Sequence, residues 1–134
     1  MIQVTTQLAI FMANRPGSLA HLCAELSKAK VNIFALATSD TVDHNVIRMV
    51  VDKPKTAIRV MEEHNTIVVE SDVIMIEGGN KPGSLAEIAG ALSNAKINIE
   101  YAYCATLPDA KRGLLILRPS HVAKALKVLN EQNL

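Results

Sequence analysis

The chain has 134 residues, 49% hydrophobic and 20% charged, which allows a packed core and excludes a disordered polymer. A formal charge of +1, from 14 Lys and Arg scattered among 13 Asp and Glu, excludes the basic stripe of a nucleic-acid binder. No apolar run approaches the roughly 20 residues that span a bilayer, and the start shows no basic leader with an apolar core; the expected compartment is therefore the cytoplasm, with no membrane partner.

The chain opens with an apolar strand near Gln7–Met12 that Asn14-Arg-Pro-Gly breaks. Leu19, Leu22, Cys23, Leu26 and Ala29 then form one apolar stripe at helical spacing. Lys30-Val-Asn ends the helix and "VNIFALAT" reads as a strand, followed by the polar turn "SDTVDHN" and the strand "VIRMVV". Asp52 is a plausible N-cap for a second helix, on which Ala57, Val60, Met61 and His64 face inward, and "TIVVE" adds a further strand. After it the pattern starts again.

"NRPGSLAHLCAELSKAKVNI" lies over "NKPGSLAEIAGALSNAKINI" without a gap at a shift of 66, Asn14 over Asn80. The second copy continues with "INIEYAYC", the turn "LPDAKRG", the strand "LLILR", the cap candidate Ser120 and a helix burying Val122, Ala125, Leu126 and Leu129. Two copies are too few for a solenoid. The order βαββαβ predicts an α+β fold of two ferredoxin-like repeats, antiparallel sheets with helices on one face.

The expected domains are residues 1–71 and 72–134, the second with its last strand absent or supplied by residues 2–5. In the latter case two long strands, about 2–12 and 67–78, pair antiparallel with residue 9 beside about 69 and residue 4 beside about 74. The alternative is an exposed edge that a partner chain covers.

In each copy the amides of Gly17, Ser18 and Leu19, or Gly83, Ser84 and Leu85, stand at a helix start, where the dipole adds positive potential. Proline suits a first helical position, and Gly17 and Gly83 admit another group close to the backbone. A carboxylate or phosphate fits there; spacing alone fits equally an ordinary capped helix with water on its amides. Asn14 and Asn80 can shape their own turns.

The two "N-x-PGSLA" segments, each between an apolar strand and a second strand, resemble the ACT domain family of small βαββαβ modules. The resemblance covers nearly all of the chain. It implies a free amino acid as ligand for allosteric control, bound where the turn of one module meets the second strand of a neighbour. Carried over, the ligand-binding residues are Asn14, Pro16, Gly17, Ser18 and Leu19, with Asn80, Pro82, Gly83, Ser84 and Leu85. The matching second-strand positions are Asn32, Ile33, Asn98 and Ile99. The "YAY" phenols of Tyr101 and Tyr103 could supply a polar tip to a pocket or pack at an interface.

No P-loop, Rossmann glycine pattern or nucleophile–base pair stands out, and His21, His44, His64 and His121 are scattered. Asp40, Asp43 and His44 share a turn that reads as a solvated loop. Cys23 and Cys104 match no metal spacing and read as small buried hydrophobes. The expectation is a non-enzyme without cofactor: a sensor, or a regulatory subunit of an amino-acid biosynthetic enzyme. Apolar Phe34, Leu36, Val46 and Val50 on an uncovered sheet face would make it a homodimer or larger.

Overall fold

The computed structural model describes residues 1–40 and 44–132. Its elements are β1 Ile2–Ala13, α1 Ser18–Lys28, β2 Ile33–Asp40, β3 His44–Val51, α2 Pro54–Glu63, β4 Ile67–Gly79, α3 Ser84–Asn94, β5 Ile99–Ala105, β6 Arg112–Pro119 and α4 Val122–Asn130. They fall into two compact units, Thr6–Ser71 and Met1–Thr5 with Asp72–Leu134.

The first unit orders its strands β2-β3-β1-β4, with Leu8 opposite Met49 and Ala13 opposite His44. Alternation along β1 sends Leu8 and Ile10 into the core, where they meet Leu22 and Leu26 of α1 and Ala57, Val60 and Met61 of α2. Near the end of this unit Gln7 Nε2 donates to Ser71 Oγ at 3.5 Å. In the second unit the order is β1-β4-β6-β5, through residues 2–5 of β1, and the Glu77 amide donates to the Met1 carbonyl at 2.9 Å. Its core gathers Ile74, Ile76, Ile88, Leu92, Leu115, Leu117, Ala125 and Leu129. Both units are ferredoxin-like, with antiparallel strand pairs.

The repeat extends to backbone detail. α1 ends on Lys30 at φ 59° and α3 on Lys96 at φ 58°, both left-handed. Val31 and Ile97 then donate back to Leu26 and Leu92 at 2.9 Å, closing a Schellman turn on two core residues. A bulge falls between Ile33 and Ala35 and again between Ile99 and Tyr101.

Several expectations need correction. Leu19 and Leu85 sit on the helical stripe yet are 41% and 51% exposed. His64 is exposed and bonds Glu25 instead of facing inward. Leu36 pairs with the core residue Met49 and so lies on the helix side of the sheet, while Val50, on the other face, is buried. Of the two cysteines, Cys23 is half-buried and Cys104 exposed.

Asp52 and Ser120 are not caps; those places belong to Lys53 and His121. Asp52 Oδ1 accepts the Asn32 amide at 2.8 Å while its own amide donates to the Asn32 carbonyl at 3.0 Å. Ser120 Oγ accepts the Asn98 amide at 3.1 Å and returns an amide bond at 2.8 Å. Replacing Asp52 by alanine removes that bond to an exposed amide and lowers urea stability by about 0.5–1.5 kcal/mol. Asp52→Ser, the residue of the second repeat, keeps at least half; equal loss in both variants would dismiss the bond as a contributor.

Candidate functional site

Each helix-opening turn is built the same way. The Ser18 amide donates to the Arg15 carbonyl at 3.3 Å, and Ser84 to Lys81 at 3.3 Å. Gly17 has φ 88° and ψ −16°, Gly83 φ 92° and ψ −12°. A proline followed by a left-handed glycine, closed by that bond, makes a type II turn, which explains Pro-Gly at this spacing. The prolines therefore precede the helix by two residues instead of opening it. Of the three amides expected free in each copy, the serine amide is spent inside the turn. Among the described residues nothing takes those of Gly17, Leu19, Gly83 or Leu85, and no side chain caps either helix.

The asparagines reach across to the neighbouring hairpin. Asn14 Oδ1 accepts from Asn45 Nδ2 at 3.3 Å. Asn80 Nδ2 donates to the carbonyls of Ala110 at 2.7 Å and of Leu107 and Pro108 at 3.4 Å. Its backbone amide donates to Lys111 at 2.9 Å. Asn80 thereby clamps the β5–β6 connection beside its turn.

The second-strand positions lie elsewhere. Asn32 and Ile33 begin β2 next to the end of β3, whereas the turn adjoins its start, so α1 separates them by about 16 Å. Asn98 and Ile99 stand likewise to Asn80–Leu85. No single unit unites the two groups. Tyr101 and Tyr103 face Arg118 and Ile116 across β6.

Open space differs between the turns. In the first unit an open groove of about 530 Å³ runs past Met12, Arg15, Pro16, Gly17, Ser18 and His21. The second has a smaller cavity of about 80 Å³ lined by Ser84, Leu85 and Ile88, by Cys104 and Thr106, and by Gly78, Gly79, Gly113, Leu114 and Leu115. Ser84 Oγ is buried there with no hydrogen-bond partner. Sequence reasoning missed the three glycines, Cys104 and Thr106. The signal was "EGGN" standing where the first copy has "FMAN".

Beyond the groove, the Glu25 carboxyl is held below its ordinary value, first by a hydrogen bond from Lys28 Nζ at 3.0 Å. Desolvation opposes this, and His64 Nε2, 3.0 Å away, adds to the lowering. The His21 ring stands edge-on to His64, centroids 5.6 Å apart. Among the described residues no group of three or more His, Cys, Asp or Glu could hold a metal ion; Asp43 lies outside them.

Two ferredoxin-like units opening their first helices on matching Asn-x-Pro-Gly turns define a tandem pair of one small module. Residues 3–134 match the ACT domain pair, and the chain belongs to that family. It is similar to a crystal structure of a protein from Bacteroides thetaiotaomicron at 32% identity and TM-score 0.91, covering 97% of this chain and 89% of that one. The regulatory subunit of aspartate kinase from Thermus thermophilus, ligand-free, shares the fold at 16% identity and TM-score 0.72, covering 98% of this chain and 96% of that one. Aspartate kinase from Synechocystis does so at 20% identity and TM-score 0.62, covering 96% of this chain but 25% of that one. No curated protein matches the sequence.

Proposed function

We propose that the chain senses a free amino acid at its Asn-x-Pro-Gly turns and relays occupancy as allosteric control of amino-acid metabolism. One observation carries this reading: a left-handed glycine opens each helix with unengaged amides, and beside the second lies a cavity with an unpaired hydroxyl. Such amides hold an α-carboxylate at a positive helix end. The Asn80 side chain spends its Nδ2 on three carbonyls, which leaves Oδ1 as an acceptor for the α-ammonium.

The modules of this reading are residues 1–71 and 72–134, with residues 2–5 as last strand of the second; the Glu77–Met1 bond supports that strand. In this reading Asn32, Ile33, Asn98 and Ile99 join a site when a neighbouring module brings them, and with a second copy of the chain as that neighbour the working form is a homo-oligomer. No catalytic step is assigned. The chain works in the cytoplasm; among its described residues no helix is long and apolar enough to cross a membrane.

A second reading, a regulatory subunit acting through protein contact, draws on the exposed Phe11, Phe34, Ile67 and Val69 of the first unit. It also has the length match to an aspartate kinase regulatory subunit. Thermal-shift measurements with the twenty amino acids separate the two. A ligand at a hundredfold its dissociation constant stabilises the chain by about 2.7 kcal/mol. No shift with any of them overturns the sensor in favour of the contact subunit.

A further inference from the structure

Gly78 and Gly113 stand opposite each other on β4 and β6. Strand alternation after Ile74 and Ile76 aims position 78 at the core side. In the first unit the corresponding pair on β1 and β3 is Met12 and Asn45. Met12 packs against the buried core there. Met12 and Asn45 thus have no counterpart side chains in the second unit; at Gly113 the Thr106 side chain fills the place, where a built Cβ would collide with it, while room stays open over Gly78 in the cavity of about 80 Å³.

Nothing in the backbone demands glycine at position 78. It is absent from the positive-φ residues, and a Cβ built on it meets no atom within 4 Å. Glycine inside a strand with room for a side chain marks a place where another group comes close. The wall supplies one polar atom without a partner, the buried Ser84 hydroxyl. Ser18, its counterpart, borders an open groove instead. An apolar recess with one orphaned hydroxyl fits a short side chain ending in a hydrogen-bonding atom.

We infer that this recess is the specificity pocket of the second module: it admits a short amino-acid side chain, a hydroxyl preferred, whereas the first module carries Met12 at the equivalent position, beside its open groove. The inference rests on the amino-acid reading above. On the scale where about 150 Å³ holds benzene, the recess takes about three heavy atoms. Serine and alanine enter; leucine and phenylalanine do not. The backbone end of the ligand stays at the Gly83 turn, and Ser84 Oγ bonds the ligand hydroxyl.

Isothermal titration of the full chain with serine, alanine, leucine and phenylalanine tests this. One serine binds per chain, with leucine and phenylalanine at least tenfold weaker. Gly78→Met refills the recess, weakens serine at least tenfold and leaves the melting temperature unlowered. Ser84→Ala weakens serine several-fold and alanine hardly at all. Serine affinity untouched by Gly78→Met, equal binding of phenylalanine, or two equal sites per chain overturns the pocket and leaves amino-acid sensing standing. Absence of binding by all twenty amino acids overturns both.

Discussion

Truncating Leu92 to alanine lowers the unfolding free energy by about 2–5 kcal/mol. Leu92 is fully buried in the second unit, among Ile74, Ile76, Ile88, Leu115, Leu117, Ala125 and Leu129. Its carbonyl also accepts the Ile97 amide that closes the Schellman turn at 2.9 Å, a bond the alanine variant keeps. The loss is therefore the buried methyl groups and the void left behind, since helix propensity slightly favours alanine. Leu107, 77% exposed, gives the control: Leu107→Ala stays within about 0.5 kcal/mol. Urea titration of both variants decides the matter. A Leu92→Ala loss under about 1 kcal/mol would mean that α3 sits on a loosely filled core.

Gly83→Val costs about 1–3 kcal/mol, for a reason that has nothing to do with space. A Cβ built on Gly83 meets no atom within 4 Å, the same as at Gly78. The difference is φ, 92° at Gly83, a region a β-branched residue avoids. The pair Gly83→Ala and Gly78→Ala isolates this. The first loses about 1–2 kcal/mol to the left-handed backbone, and the second is neutral or gains a few tenths. Equal costs in denaturation would refute the type II turn as the reason for the glycine. Gly83→Val also displaces the amides ahead of α3, so any amino acid that raises the wild-type melting temperature ceases to do so.

Much of the architecture could be read because the repeat compares the chain with itself. A gap-free match over the turn and first helix revealed the two repeats, and helical spacing marked Leu22, Leu26, Ala57, Val60, Met61, Ala125 and Leu129 as core. Three features escaped. Leu19 and Leu85 satisfy helical spacing, but spacing does not say what packs over them. Asp52 and Ser120 look like caps because caps use the same residue types, and only the neighbouring strand start reveals their partners. The recess needed the cross-strand register. Ile74 corresponds to Leu8 at an offset of 66, but Leu117 corresponds to Met49 at 68, so linear alignment pairs Gly113 with the wrong residue. Within the turns, Pro-Gly marked the helix openings but not the type II geometry that sets each proline two residues ahead of its helix, and the reach of Asn80 to three carbonyls depended on a loop that no local pattern describes.

The allocation of β1, four residues to one unit and the remainder to the other, has a bearing on how the chain matures during synthesis. The unit spanning residues 6–71 is one uninterrupted run and closes as soon as that run has emerged. Residues 1–5 are translated before it yet must wait for 72–134, with the whole intervening run as their loop. Closing so long a loop adds little entropy beyond a shorter one but slows assembly. The half carrying the glycine-walled recess is therefore the last to become competent.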